Sequence, residues 1–349
     1  QALATQLRLQ GVEAAIVTSF PGPPEIDGIA IDRVAGLRLP WAELAVSPRL
    51  VGHLSDCLSA GGYDMVHIHA SIVAPFCLAA APAALGLGLP VEVTFHSVMR
   101  TMPRVLSLID RFAGWSKGNI SLSAVSNLVA GQVRCGLPDR QVAILPNGFE
   151  QGFWQGEPRD PPAGGPFRIV SAMRLQPRKR PFALIDIFAE ASRLAALGGR
   201  ELSLTIAGEG DLQGPLRRYI ATRGVAGSVD LVGWQTPDRL KALYADSSVF
   251  VMPSIKEAFC IAALEARASG LPVVAHARTG IADFVTDDVS GILTQSDQKM
   301  AQALAALALD GTRLARLSRP DASIARYDWS NLAAEHIRLY RDRLQAGGR

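Results

Sequence analysis

The sequence predicts an α/β protein built from two doubly wound halves, each a parallel sheet covered by helices. Three observations carry that expectation. Short apolar, β-branched runs alternate along the chain with longer helical patterns. Several of these runs are apolar at consecutive positions, as strands buried on both faces require. The alternation breaks once, at 149–166, where FEQGFWQGEPRDPPAGGP carries Gly, Pro and charge without an apolar period. That stretch reads as an inter-domain linker. It leaves an amino-terminal domain over 1–148 and a carboxy-terminal domain over 167–329. A chain of 349 residues suits two cores, since single cores stop growing near roughly 250–300 residues.

Taken in order, the first half offers strands over 12–18, 65–69, 91–95, 120–125 and 142–145. The second offers 168–172, 202–207, 229–232, 249–252, 273–275 and 291–293, with helices over 181–197, 236–245 and 261–269 among them. Such sheets bind ligands outside the carboxyl ends of their strands, so a cleft between the halves is the expected site. A last helix follows Tyr327-Asp328-Trp329, and the segment 330–346 is expected to pack back on the amino-terminal domain. The chain opens on a helical pattern, Leu3 and Leu7 ended by Gly11, before any strand. The first strand of that domain and its loop are therefore expected to be missing from this sequence. A genuine helix start is the alternative.

Composition narrows the function classes. Apolar residues make up 48% of the chain, a globular content. Lys and Arg number 35 against 32 Asp and Glu, a net charge of +3, with no block of five like charges, so no nucleic-acid partner is expected. Cys57, Cys77, Cys135 and Cys260 form no CxxC pair and read as free thiols in a reducing cytoplasm. The most membrane-like stretch, 70–91, is broken by Pro75, Pro82 and Pro90. A spanning helix needs about 20 unbroken apolar residues, so a buried helix is expected there.

Two motifs carry chemistry. The first runs from Pro253 to Ala275 as PSIKEAFCIAALEARASGLPVVA. A strand ends at Pro253, a short loop carries Glu257, and a helix starts near Phe259–Ile261. The first N–H groups of a helix lack intrahelical partners and sit at the positive end of its dipole, a seat for phosphate oxygens. Glu265 lies further along the same helix, where a carboxylate can accept from ribose hydroxyls. The plainer readings are a carboxylate complementing the dipole and a solvated helix residue.

The second motif is SAMRLQPRKRP, Ser171 to Pro181, between a strand and a helix. It would project Arg174 and Lys179 at a strand's carboxyl end. Both side chains bind phosphate, Arg as a planar fork and Lys as a point charge. A fixed pair of cations lowers the barrier as charge builds on a departing diphosphate. This could stand in for a metal, and no Asp-x-Asp is present to hold one. Arg178 and Arg180 read as the solvated part of the loop.

These stretches resemble retaining glycosyltransferases of the GT-B fold, in particular glycosyltransferase family 4, over nearly the whole chain. The resemblance implies two Rossmann-like domains facing a cleft. It also implies that Arg174 and Lys179 hold the diphosphate of a nucleotide-sugar, that Glu257 contacts the donor sugar with the backbone of Phe259, Cys260 and Ile261, and that Glu265 binds ribose. Ile206-Ala-Gly208-Glu209-Gly210 and Gly233-Trp234 are similar to the turns around the nucleoside. Asp64-Met-Val-His67-Ile-His69, Ala124-Val-Ser126 and Leu145-Pro-Asn147-Gly148 are similar to the family's amino-domain strands. Thr94-Phe95-His96-Ser97 is similar to its Thr-x-His-Gly, whose histidine meets the reacting sugar. His67 and His69 share a strand face, and with His96 they suggest a metal only weakly, because no carboxylate or cysteine spacing supports one.

The departures are Arg180, Ser97 and Cys260 where the family has glycine, and Thr279-Gly280-Ile281-Ala-Asp283 where it tends to Gly-Gly-Ile-Pro-Glu. The resemblance implies a transferase acting with retention, without a metal or other cofactor, on a saccharide or lipid-linked acceptor in surface polysaccharide or glycolipid synthesis. A cytoplasmic location follows, with contact at the inner membrane face left open. The alternative is a non-catalytic nucleotide-sugar-binding relative kept as an assembly partner. A nicotinamide dehydrogenase is excluded, since no Gly-x-Gly-x-x-Gly follows a strand.

Overall fold

The computed structural model describes residues 1–34, 37–38, 45–46, 50–70, 75–98, 106–107, 110–111, 114–116, 120–156 and 165–347. The chain divides into two units, Gln1–Gly148 with Tyr327–Arg349, and Phe149–Arg326.

The first unit opens with α1 (Ala2–Leu9), which buries Ala4 and Leu7. The strand expected over 12–18 is only its last three residues, β1 (Ile16–Thr18). Val12 and Ala14 instead pack around Leu7, Ile337 and Tyr340. A hairpin not anticipated from sequence follows, β2 (Glu25–Ile26) and β3 (Ile29–Arg33), antiparallel. Its turn is Asp27-Gly28, at φ 52° and 74°, the left-handed pair a tight hairpin requires. β3 also pairs parallel with β1. β4 (Leu37–Arg38) pairs with β5 (Ala45–Val46). α2 (Leu50–Gly61) buries Leu50, Leu54 and Leu58, one stripe at a spacing of four.

β6 (Val66–Ala70), β7 (Val91–Phe95), β8 (Ile120–Ala124) and β9 (Val142–Ile144) form a parallel sheet in that order, with α3 (Pro75–Gly86) and α4 (Asn127–Gly136) as crossovers. Ser126 caps α4 by accepting from the Val129 amide at 3.3 Å. α3 occupies the membrane-like stretch, and among the described residues no helix is long and apolar enough to cross a membrane.

The expected linker is partly built into the second unit. α5 (Gln151–Trp154) forms a single turn, and Phe149 and Trp154 are buried. The aromatic residues explain this departure: the Trp154 carbonyl accepts from Ser269 at 3.0 Å, and Lys241 donates to the Phe153 carbonyl. Residues 157–164 lie outside the described set.

The second unit runs β10 (Phe167–Ala172), α6 (Pro181–Ala196), β11 (Leu202–Ala207), α7 (Gln213–Thr222), β12 (Val229–Gly233), α8 (Pro237–Ala245), β13 (Val249–Met252), α9 (Ile261–Ala268), β14 (Val273–His276), β15 (Gly291–Thr294), α10 (Asp297–Leu309) and α11 (Gly311–Leu317). Its six strands are parallel in the order β12-β11-β10-β13-β14-β15. The order reverses between β10 and β13, the crevice where such sheets take ligands.

α12 (Trp329–Gly347) belongs to the first unit. It buries Leu332, Ala333, His336, Ile337 and Tyr340 at helical spacing. A Cβ on Gly148 would lie 2.4 Å from the Trp329 ring, so only glycine permits that approach.

Candidate functional site

The loops after β10, β11, β12 and β13 gather around the reversal of strand order. After β10, the Met173 and Leu175 amides donate to the Ala207 and Glu209 carbonyls at 2.9 and 2.8 Å. Gly208, at φ 131°, is indispensable there: a Cβ would sit 1.9 Å from the Met173 carbonyl oxygen. At Gly210 it would sit 2.5 Å from that of Leu175. Glu209 Oε1 accepts from the Trp234 amide at 3.3 Å, and the Trp234 ring is 65% exposed.

Lys179 closes a 310 turn, Pro177–Lys179. Its Nζ donates to Glu257 Oε2 at 2.5 Å, and the two side chains are only 16% and 11% exposed. The two motifs, 78 residues apart, therefore meet at the reversal point. Arg174 lies on the same loop, exposed, and its side chain has no hydrogen-bond or ion-pair partner among the described residues. Arg178 is exposed as well. Arg180 corrects the sequence reading. It is not solvated but donates to Asp297 Oδ1 and Oδ2 at 2.9 and 2.6 Å and to the Pro253 carbonyl at 2.8 Å. Its partners are far along the chain, so no local pattern announced them.

Beyond Glu257, Phe259 is buried and Cys260 stands at φ 77° before α9. The amides of Ala263 and Leu264 already bond the Cys260 carbonyl. Those of Ile261 and Ala262 have no intrahelical acceptor and face the start of the helix. Burial first, and then Glu257, push the Cys260 thiol up to about 12, with Lys179 opposing. Cys260 is thus a neutral, inert neighbour of the pair. The loop at 279–283 is moulded onto this segment: the Gly280 amide donates to the Glu257 carbonyl at 2.9 Å, and a Cβ on Gly280 would lie 1.8 Å from the Ala258 carbonyl oxygen. Glu265 is partly buried, its carboxylate has no hydrogen-bond partner among the described residues, and desolvation raises that carboxyl to about 7. A carboxylate so placed gains from any hydroxyl brought to it.

In the first unit, His96 follows β7. Burial lowers its imidazole to about 4, partly countered by a hydrogen bond to Asn147. His96 Nε2 lies 2.9 Å from His69 Nδ1, and burial lowers His69 to about 3. His67 spends both nitrogens, on Tyr340 Oη at 2.6 Å and Thr94 Oγ1 at 2.7 Å. Thr94 continues to Ser123 at 2.7 Å, and Ser123 donates to Glu92 Oε1 at 2.5 Å. Ser121 donates to the other oxygen of Glu92. Sequence reasoning passed over this network. The strand register puts His67, Glu92 and Ser121 in one row and His69, Thr94 and Ser123 in the next, so the polar residues recur at every second position of three strands. Among the described residues no group of three or more His, Cys, Asp or Glu is arranged to hold a metal ion. A cavity of about 890 Å³ within this unit is lined by His69, His96, Thr18, Phe20, Phe76 and Tyr340, among others.

Two Rossmann-like α/β units with parallel sheets, the second carrying a cation–carboxylate pair and a helix start at its strand-order reversal, define a glycosyltransferase of the GT-B fold. Comparison with known proteins agrees. The family model described as Glycosyl transferases group 1 matches residues 157–320, and Glycosyltransferase Family 4 matches 1–151. The chain belongs to this glycosyltransferase family. It is 31% identical over 198 residues to the amylovoran biosynthesis glycosyltransferase AmsK of Erwinia amylovora, a match covering 55% of this chain and 46% of that protein. It is 34% identical over 175 residues to the D-inositol 3-phosphate glycosyltransferase of Nocardia farcinica, covering 48% and 38%. The chain thus spans about half or less of the length of the curated relatives it matches. Among solved structures, Anabaena Alr3699/HepE in complex with UDP and glucose superposes with a TM-score of 0.76 at 18% identity, covering 97% of this chain and 95% of that one.

Proposed function

We propose that this chain transfers a sugar from a nucleoside-diphosphate sugar to an acceptor hydroxyl. The observation that carries the reading is the convergence of Lys179 and Glu257 beside the start of α9, at the reversal between β10 and β13. Lys179, Arg174 and the Ile261 and Ala262 amides hold the diphosphate. Glu257 orients Lys179 and accepts from hydroxyls of the donor sugar. Phe259 and Cys260 fix the approach to the helix. Glu265 accepts from the ribose, Gly208, Glu209 and Gly210 form the turn beneath the nucleoside, and Trp234 stacks on the base. His96, kept neutral, hydrogen-bonds the reacting sugar.

The bond between the sugar's C1 and the diphosphate oxygen breaks, its electron pair staying on that oxygen. Lys179 and Arg174 neutralise the charge as it forms, the role a metal plays elsewhere. The acceptor oxygen bonds C1 on the same face, and its proton goes to the leaving diphosphate, so the anomeric configuration is retained. Retention rests on the resemblance to family 4. The relative named for amylovoran biosynthesis supports surface polysaccharide synthesis as the setting, with a saccharide or lipid-linked acceptor.

NMR of the protein with UDP-, GDP- and ADP-sugars tests the reading. Release of the free sugar with a nucleoside diphosphate, even without acceptor, is expected for one donor. Tight binding of a donor with no turnover under any acceptor would make the chain a binding relative instead.

A further inference from the structure

Arg180 occupies the place where family 4 has a glycine, and its backbone keeps a glycine's conformation, φ 57° and ψ 49°. A non-glycine residue in that region is strained, and the strain persists only where its surroundings impose it. The surroundings here are specific. The guanidinium grips both oxygens of Asp297 at the start of α10, at 2.9 and 2.6 Å, and donates to the Pro253 carbonyl at the end of β13, at 2.8 Å. His276 Nε2, at the end of β14, is 3.3 Å from the guanidinium and 3.0 Å from Asp297 Oδ1. Hydrogen bonds from Arg180 hold the Asp297 carboxyl below the usual carboxylate range. One planar fork therefore ties the cationic loop to the two strand ends and the helix start on the opposite side of the reversal point.

The residue before it is Lys179, and the residue four after Pro253 is Glu257. The Arg180 amide closes the 310 turn on the Pro177 carbonyl at 3.1 Å, and its own carbonyl accepts from Leu184 to start α6. The direction in which Lys179 leaves the backbone is thus set at a residue whose side chain is bolted to the strand end that carries Glu257.

We propose that Arg180 and Asp297 are positioning residues for the donor site: their ion pair fixes the Lys179 turn against the β13 loop, so that the cation and Glu257 are in place before a diphosphate arrives. The inference rests on the donor-site reading above. Preorganisation of this kind acts on ligand affinity by removing the cost of ordering the loop on binding.

Arg180→Gly is the informative variant, because glycine suits φ 57° and loses only the clamp. UDP, GDP and ADP are titrated calorimetrically into the full chain, and the tightest is carried forward to Arg180→Gly, Asp297→Asn, the double variant and Arg180→Lys, at a temperature where circular dichroism shows each folded. Arg180→Gly is expected to weaken binding roughly tenfold while the ligand-free melting midpoint stays within about 3 °C. Asp297→Asn should weaken binding in the same direction, the double variant no more than Arg180→Gly alone, and Arg180→Lys should recover part of the loss. Nucleoside diphosphate affinity within twofold of wild type in Arg180→Gly, or additive losses in the double variant, overturns the proposal and leaves the donor-site reading intact. Failure of the wild type to bind any of the three nucleotides overturns both.

Discussion

The two units treat their polar groups in opposite ways. The second unit gathers charge: Lys179 against Glu257, Arg180 against Asp297, and an exposed Arg174 beside them. The first unit gathers neutral groups: His67, His69 and His96 are held uncharged by burial, and His67 is wired through the Thr94 and Ser123 hydroxyls to a buried Glu92. Charge is what a leaving diphosphate needs, and hydrogen bonds without charge are what sugar hydroxyls need. Under the proposed function, the electrostatic work falls to the second unit.

The largest test of that contrast is Lys179→Ala. It should cost at least about 2 kcal/mol of transition-state stabilisation, the scale of one lost preorganised donor, read as kcat/KM for sugar transfer. Glu257→Ala should cost a similar amount, and the two losses should not add, because each removal leaves the other group without its partner. Wild-type turnover in both would erase the contrast.

The pH responses of these buried groups should differ in sign. His69 and His96 are lowered from 6.5 to about 3 and about 4. The unfolded chain binds their protons more readily. Their stabilising effect on the first unit is therefore complete above pH 6.5 and is lost as pH falls towards 4, by a few kcal/mol in all. Glu265 is raised from 4.5 to about 7, so the second unit binds the extra proton when folded. It loses on the order of 3 kcal/mol as pH rises from 4.5 through 7. Hydrogen-exchange mass spectrometry at pH 4.5, 6 and 8 resolves the units separately. Glu265→Gln should flatten only the second.

Ribose hydroxyls donating to Glu265 favour its ionised form. Nucleotide binding near pH 6 should therefore release up to about one proton, and Glu265→Gln should abolish the release. Calorimetry in two buffers of different ionisation enthalpy measures it.

Fold and site were unequally legible in the sequence. Strands at 91–95, 202–207 and 249–252 were readable to the residue, because runs dominated by apolar and β-branched residues end at His, Gly or Pro. Val12 and Ala14 read as strand but pack with α1 and α12, a tertiary contact no local period encodes. The β2–β3 hairpin carried its own Asp27-Gly28 signal, weakened by a two-residue first strand. Lys179 and Glu257 were legible because each follows a strand and precedes a helix. Arg180 was not, because Asp297 lies 117 residues away. The first unit's network was hidden because the helix that covers it, with Tyr340, comes 273 residues after His67.

The smallest expected effect is at another of the substituted glycines, Cys260. Cys260→Gly relieves φ 77° but removes a buried thiol, and these opposed changes of about 1 kcal/mol each should leave the melting midpoint within a few degrees of wild type. By contrast, Gly208→Ala has nowhere to place its Cβ, 1.9 Å from a carbonyl oxygen, and should lower the midpoint well beyond that.

Calorimetric titration of wild type and Lys179→Ala with a nucleoside diphosphate and with its parent nucleoside isolates the grip on phosphate. Diphosphate affinity should fall at least roughly tenfold in the variant while the nucleoside binds both proteins equally. Equal diphosphate affinity in the two proteins would show that the charged pair of the second unit is not what holds the donor.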